Sequence, residues 1–333
     1  MLDIGFSVEE VSELLSAMLT VAPDRDEEHQ PSRHFVLGIR DHLFKMSAID
    51  LDALQPSTPE SFNLTFIEPD KEKIALQILV LMPYLSGALH DEDVERVNCY
   101  ASATGLAPHS LRDLNNIAHR RIKLALIDYF RRATNEFIPE KGLHKIWTLV
   151  KEVHGYIGDS KLAEEFEQLS SLDYGTLGKT IHTFYRARGF KFPGEPGNLT
   201  ETAVRHDCVH ILSGTNTDMA GEIAVSAIES GMANSEVGWE MITEVLLDFH
   251  LGIAWTLPQG IKAGTMNFDP ELFSEALAIG AKINTDLIRD WNYWDDINTP
   301  ILDLRKRFNI MGVSIIDMPA PGVNPTAKTT YYD

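Results

Sequence analysis

A short segment of the chain combines two imidazoles and two carboxylates. His206, Asp207 and His210 stand close together, and Glu222 follows after a predicted break at 213–216. Residues four apart on an α-helix lie on one face, one turn from each other, so His206 and His210 can point at the same ion. Asp207 can approach that side from its flank, and Glu222 can close the site from a second helix. These ligands suit a divalent transition metal, with zinc or iron(II) the leading candidates.

The alternative to a metal site is a solvated polar helix face. With 12 His in 333 residues, two His four residues apart are expected about 0.4 times by chance, which makes that pair alone weak evidence. An acid directly after the first His lowers the expectation to roughly 0.06, and on spacing alone a metal site and a solvated polar face both stay open.

The same residues carry a family resemblance. His206-Asp207-x-x-His210, followed after eleven residues by Glu222, resembles the HDxxH-x11-E signature of the ubiquinone biosynthesis protein 4 family. The resemblance covers about residues 140–312 and leaves residues 1–135 outside. Looser similarity to that family surrounds the motif in three segments: 174–190, 221–232 and 294–310.

The resemblance implies an all-α domain that acts in isoprenoid-quinone synthesis on polyprenylated hydroxybenzoates. The implied step, that of a lyase, removes the ring carboxyl at C1 with hydroxylation of that carbon, and the metal would hold the head group. The family is also implicated in organising a quinone-synthesis complex. A non-catalytic scaffold that binds prenyl lipid and other quinone-synthesis proteins is therefore the alternative, and the sequence allows a homo-oligomer.

Two further groups of residues are expected around the ligands. His182, Arg205 and Asp218 are candidates to orient the metal-bound side chains, although surface solvation is the usual role of such residues. A prenyl tail needs a long apolar groove, yet each candidate for its lining is also spaced as ordinary helix core. These candidates are Leu177, Ile181, Phe184, Tyr185, Ile228, Met232, Leu246, Phe249 and Trp255.

An HD-type metal-dependent phosphohydrolase is a third possibility. His182 would supply its first His, and Asp248 or Asp290 its last ligand. Phosphate substrates favour nearby Lys or Arg, and only Arg205 adjoins the motif, which argues against this class.

The bulk composition excludes other classes. A formal charge of −20 and a pI near 4.9 argue against nucleic-acid binding and against purely electrostatic docking on anionic lipid. No apolar run is long enough for a transmembrane helix. The first 23 residues contain no Lys or Arg, unlike secretory or mitochondrial leaders. We therefore expect a cytoplasmic protein that can lie at the inner face of the membrane through local hydrophobic contact.

The two cysteines, Cys99 and Cys208, form no disulfide framework and favour a reducing compartment. Cys208 points away from the face that carries His206 and His210, so we expect a small buried residue.

Helical periodicity dominates the chain and predicts an all-α fold of two helical bundles. A length of 333 residues suggests two domains. We predict a bundle over 1–135, a metal-containing domain over 140–318 and a flexible tail over 319–333. The stretch 79–126 resembles the TerB-like helical bundle. We expect helices over 32–46, 72–89 with a kink at Pro83, 91–104, 108–132, 141–156, 160–170, 175–188, 235–257 and 269–296. Further helices are expected to begin at a capping box at Ser7 and near residues 199, 218 and 300. Residues 54–70 are expected to form a loop.

Overall fold

The structure is a computed structural model that describes residues 5–23, 30–137, 158–196, 202–233, 235–254 and 262–310. Its elements are helices joined by turns, which confirms the all-α prediction; the described residues form isolated β-bridges but no strand. The α-helices are α1 (Val8–Val21), α2 (Pro31–Gly38), α3 (Pro59–Thr65), α4 (Pro69–Leu81), α5 (Asp91–Thr104), α6 (His109–Ala118), α7 (Ile122–Phe137), α8 (Ser160–Gln168), α9 (Leu177–Arg188), α10 (Thr202–Ser213), α11 (Met219–Met232), α12 (Glu236–Phe249), α13 (Pro270–Gly280) and α14 (Ile301–Arg307).

Several helix ends follow directly from the sequence. The Ser7 hydroxyl accepts from the Glu10 amide at 3.1 Å, and the Glu10 carboxylate accepts from the Ser7 amide at 2.6 Å, which confirms the predicted capping box. Gly105 ends α5 in the left-handed conformation, at φ +70°. A glycine adopts that conformation at little cost, so the predicted stop is also confirmed.

Other boundaries differ from the predictions. The expected loop 54–70 contains α3, because Thr58 caps it with Ser61 and Pro59 occupies the first helical turn, where its missing N–H costs nothing. The helix expected over 108–132 is broken between α6 and α7, where Arg120 has φ +60°. The helix expected over 269–296 ends at Gly280.

Contacts between Cα atoms divide the chain into two compact units. Unit 1 comprises Met1–Arg132 and Ser226–Lys282, and unit 2 comprises Ala133–Val225 and Ile283–Asp333. The prediction placed all of 140–318 in one domain, whereas 226–282 belongs with the N-terminal helices. This difference arises from long-range packing, which local periodicity does not encode.

The core of unit 1 shows that packing. The Phe35 ring on α2 contacts Phe268 and Phe273, with centroids 5.9 and 5.7 Å away. A Cβ on Gly38 would lie 2.4 Å from the Ser274 hydroxyl, so α2 and α13 approach closely where glycine has no side chain.

In unit 2, backbone hydrogen bonds connect the start of α9 to the turn before α14. The Leu177 amide donates to the Thr299 carbonyl at 2.9 Å, and the Ile301 amide donates to the Gly175 carbonyl at 2.8 Å. The Arg305 guanidinium on α14 donates to the Leu212 carbonyl on α10 at 2.7 Å. These contacts fix α9 and α10, the two helices that carry most of the candidate site.

Some predictions fall on residues outside the described ranges: the helix over 141–156, the tail over 319–333, and Trp255. Among the described residues, no helix combines the length and apolar character needed to span a membrane.

Candidate metal centre

Two consecutive helices of unit 2 bring the motif side chains together. His206 and His210 lie one turn apart on α10, which ends at Ser213. Gly214 has φ +82° and its amide donates to the His210 carbonyl at 2.8 Å, so the chain reverses directly after the helix. This reversal carries the following residues back toward the histidines.

The turn between the helices is closed tightly at the start of α11. The Asp218 side chain accepts from the Gly221 amide, and the Asp218 carbonyl accepts from the Glu222 amide, both at 2.8 Å. A Cβ on Gly221 would lie 2.1 Å from the Asn216 carbonyl oxygen. Only glycine allows that approach, which places Glu222 beside α10.

Three side chains meet at the centre. The Nε2 atom of His206 lies 3.1 Å from Glu222 Oε2, and the Nε2 atom of His210 lies 3.2 Å from Glu222 Oε1. The two Nε2 atoms are 3.2 Å apart. Within the described part of the chain this is the one group of three or more His, Cys, Asp or Glu side chains with ligand atoms close enough to share an ion, all within 4.8 Å.

The spacing of these atoms fits a bound ion. Nitrogen and oxygen ligands lie about 2.0–2.1 Å from zinc, so two ligands at a tetrahedral angle are about 3.3 Å apart. The distances of 3.1–3.2 Å between the His206, His210 and Glu222 atoms are close to that value. Three protein ligands leave a coordination position for water or substrate.

Exposure shows on which side the centre is open. The side chain of His210 is fully buried and that of Glu222 is 15% exposed, whereas His206 is 33% exposed. A ligand therefore reaches the centre from the His206 side.

The second ring nitrogen of His210 faces the turn after α10. Its Nδ1 atom lies 3.3 Å from the Thr215 carbonyl oxygen and 3.0 Å from the Thr215 hydroxyl. A carbonyl only accepts, so a proton on Nδ1 would be donated to Thr215, and the lone pair of Nε2 would then be available to an ion in the centre. The chain of donors continues from the Thr215 hydroxyl to Ser213, 2.9 Å away, and from Ser213 to the Val209 carbonyl at 2.7 Å.

The charges of the centre favour an ionised carboxylate. Burial by itself would raise the pKa of Glu222, but the charge and hydrogen bonds of the neighbouring imidazoles lower it well below its ordinary value. Glu222 is therefore an anion at neutral pH, as a metal ligand must be.

Asp207 has a different partner from the other three motif residues. Its Oδ2 atom accepts a hydrogen bond from the Tyr185 hydroxyl on α9. Burial raises the pKa of Asp207, and burial together with the nearby Asp207 charge raises the pKa of Tyr185 well above its usual range. The hydroxyl proton therefore stays on Tyr185. The structure thus brings together three of the four predicted ligands and places Asp207 against α9.

The three predicted orienting residues have contacts of their own. His182 lies 3.5 Å from the Glu167 carboxylate. Arg205 donates to the Ile288 carbonyl at 2.6 Å. Asp218 caps α11 and thereby positions the Glu222 backbone. An HD-type phosphohydrolase would need His182 as its first metal ligand. The contact of His182 with Glu167 gives no support for that role.

The predicted groove residues lie in both cores. Leu177, Ile181, Phe184 and Tyr185 belong to unit 2, whereas the other four described candidates belong to unit 1. All eight are at most 7% exposed, as their core-like spacing allows, so a prenyl groove stays a prediction. The four in unit 1 are Ile228, Met232, Leu246 and Phe249. Cys208 is completely buried, which confirms its predicted burial.

Sequence reasoning did not identify Thr215 and Ser213 as partners of His210. A usable signal was present: hydroxyl residues flank Gly214 at the predicted end of the motif helix, where a left-handed turn returns the chain to its last carbonyls.

No protein-family model matches this chain, and no curated protein and no solved structure is significantly similar to it. What the centre can do is therefore inferred from its geometry and from the pattern of the sequence.

Proposed function

We propose that this protein binds one divalent metal ion, zinc or iron(II), through His206, His210 and Glu222. We further propose that it acts in isoprenoid-quinone synthesis on the head group of a polyprenylated hydroxybenzoate. The convergence of two Nε2 atoms and a carboxylate at 3.1–3.2 Å carries the metal proposal. The motif His206-Asp207-x-x-His210 with Glu222, and its resemblance to the ubiquinone biosynthesis protein 4 family, supports the substrate class.

Electrostatics supports a cation at the centre. If the proton of His210 lies on Nδ1, the lone pair of its Nε2 atom faces a carboxylate oxygen of Glu222 that is 3.2 Å away. Two electron-rich atoms at that distance repel each other in a region of low dielectric constant. A metal ion or a proton between them removes the repulsion, and the presence of His206 as a third donor favours the metal.

The proposed activity is removal of the ring carboxyl. The bond between the ring carbon and the carboxyl carbon breaks, and carbon dioxide leaves. The ring carbon then takes a proton, or takes a hydroxyl in a reaction that consumes dioxygen and two reducing equivalents and forms water. A bound ion supplies Lewis acidity, which polarises an oxygen of the head group. The Tyr185 hydroxyl and Asp207 lie beside the histidines and can hold a proton near that oxygen.

The first experiment is elemental analysis of purified protein. We expect about one equivalent of metal in the wild type and almost none in His210→Ala, because the variant loses a buried ligand. His182→Ala is the matched control, since this half-buried imidazole lies against Glu167 and should not change the metal content. A wild-type metal content in His210→Ala, with the helical content preserved, would show that the ligand assignment is wrong.

The second experiment separates an enzyme from a lipid-binding scaffold. The protein is extracted for bound lipid and then incubated with 4-hydroxybenzoate that carries a geranyl chain at C3, with and without dioxygen and a reductant. Release of carbon dioxide by the wild type and not by His210→Ala supports the lyase. Bound prenyl lipid without turnover supports the scaffold. If the protein shows neither turnover nor bound prenyl lipid, the proposed substrate class is wrong.

A further inference from the structure

Arg188 is a cation of unit 2 that the centre described above does not use. It lies in the last turn of α9, half-buried, with its guanidinium carbon 3.9 Å from the centroid of the Phe184 ring. Its Nε atom donates to the buried Thr217 hydroxyl at 3.1 Å. These contacts fix the side chain, and among the described residues its other hydrogen bond is a long one, from Nη1 to the Phe184 carbonyl at 3.4 Å.

Arg186, two residues earlier on the same helix, shows the usual arrangement. It also stacks on a phenylalanine, with 4.0 Å between its guanidinium carbon and the Phe192 ring centroid. It is neutralised by Glu167 at 2.6 Å and by Glu195 at 3.2 Å. In the described part of the chain, Arg188 has no carboxylate at ion-pair distance, although it is the more buried of the two.

This absence has an energetic consequence. Burial lowers the pKa of Arg188, partly opposed by the charge of Asp207, but a guanidinium stays protonated in proteins. A half-buried cation has lost part of its hydration, and a ligand with a negative charge can compensate for that loss.

Arg188 is linked to the candidate metal centre through Phe184. The Phe184 ring that it covers lies 6.2 Å from the His210 ring, centroid to centroid. With the 3.9 Å from Arg188 to Phe184, these distances place the guanidinium carbon at most 10.1 Å from the His210 ring. Thr217 belongs to the same turn as Thr215, the partner of His210, so one turn supports both groups.

We propose that Arg188 binds the carboxylate of the aromatic ligand and thereby determines how the ring is oriented at the centre. This inference rests on the proposed function, which supplies the hydroxybenzoate class. Arg188 carries a positive charge and has no described carboxylate at ion-pair distance, so its charge matches that of a carboxylate on the ligand. A planar guanidinium also matches the two oxygens of a carboxylate better than an ammonium does.

Binding measurements test this proposal without turnover. Isothermal titration calorimetry compares 4-hydroxybenzoate that carries a geranyl chain at C3 with its neutral carboxamide. We expect Arg188→Gln to bind the acid about 10- to 100-fold more weakly than the wild type, as for the loss of a charged hydrogen bond. Arg188→Gln should bind the carboxamide as tightly as the wild type does. Arg188→Lys should recover part of the lost affinity for the acid. The control, Arg186→Gln, should bind both compounds as the wild type does.

Two results would overturn the proposal. If Arg188→Gln lowers the affinity for the acid and for the carboxamide equally, Arg188 only packs on Phe184. If the wild type binds neither compound more tightly than Arg188→Gln does, no carboxylate lies at the Arg188 guanidinium. Metal content, measured on the same samples, distinguishes this failure from failure of the proposed function. Metal-free wild-type protein with an Arg188-dependent preference for the acid contradicts the metal proposal alone.

Discussion

The Nδ1 atom of His210 lies 3.0 Å from the Thr215 hydroxyl, while its Nε2 atom lies 3.2 Å from the Glu222 carboxylate. One buried imidazole therefore connects the polypeptide turn to the candidate metal position. Such an outer partner fixes the tautomer and the orientation of a ligating ring. The pair defines which nitrogen of His210 is available to an ion.

This relationship predicts a weaker site when the Thr215 hydroxyl is removed. Thr215→Val retains the shape of the side chain and the backbone carbonyl but loses the hydroxyl. We expect zinc affinity to fall about 10-fold or more, the lower end of the effect seen for such partners. Competition with a chromophoric chelator measures it. Thr183→Val is the control, because the Thr183 hydroxyl donates to the Lys179 carbonyl at 2.9 Å within α9. Equal affinities in wild type and Thr215→Val would show that the carbonyl alone orients the ring.

The two carboxylates of the motif should respond differently to replacement by the amide. Glu222→Gln removes a charge 3.1–3.2 Å from both imidazoles, so we expect loss of the metal. Asp207→Asn retains an acceptor for the Tyr185 hydroxyl, so we expect about one equivalent of metal with affinity reduced about 100-fold at most. Elemental analysis and chelator competition compare the two variants. If Asp207→Asn loses its metal as completely as Glu222→Gln, Asp207 is a fourth ligand.

The behaviour of Asp207 shows what helix periodicity can and cannot predict. Successive residues rotate by about 100° around a helix, so His210 lies about 40° from His206, and Asp207 lies about 100° from it. Periodicity therefore places the two histidines on one face. It does not reveal that Tyr185, on another helix, takes the Asp207 carboxylate.

Long-range packing explains the remaining differences between sequence and structure. Capping residues such as Ser7 and Asp269 identify helix starts, since their partners lie within three residues. The assignment of 226–282 to unit 1 depends instead on contacts such as Phe35 with Phe273, which join segments far apart in the chain. A local pattern contains no information about such partners.

Asp296 predicts a pH-dependent contribution to stability. It accepts from the Trp291 indole at 2.8 Å and the Thr299 hydroxyl at 3.0 Å, and it pairs with Arg307. Burial would raise the pKa of Asp296, but the hydrogen bonds from Arg307, Trp291 and Thr299 together lower it below its ordinary value. A carboxylate whose pKa is lower in the folded state stabilises that state above its unfolded pKa, about 3.9. The contribution disappears as the pH falls below that value through the folded-state pKa.

Asp296→Asn should therefore lower the free energy of unfolding at pH 7 by about 1–3 kcal/mol. The difference from the wild type should shrink as the pH falls below about 4. Urea unfolding at a series of pH values measures both. The neighbouring Asp295, which is exposed, provides the control Asp295→Asn. A difference that is constant with pH would mean that the hydrogen-bond geometry, and not the charge, stabilises this turn.

Gly280→Ala is expected to destabilise the protein, although alanine has a higher helix propensity than glycine. A Cβ at Gly280, the last residue of α13, would lie 2.1 Å from the backbone carbonyl oxygen of Ile228 on α11. Alanine would otherwise be favoured over glycine in a helix by roughly 0.5–1 kcal/mol. Because the backbone of α11 cannot move aside as a side chain can, we expect Gly280→Ala to destabilise the protein by about 1–3 kcal/mol. Thermal and urea unfolding measure the change. Gly5→Ala is the control, since its Cβ would have no described atom within 4 Å. A Gly280→Ala variant more stable than the wild type would show that α11 and α13 are not packed backbone to backbone at this point.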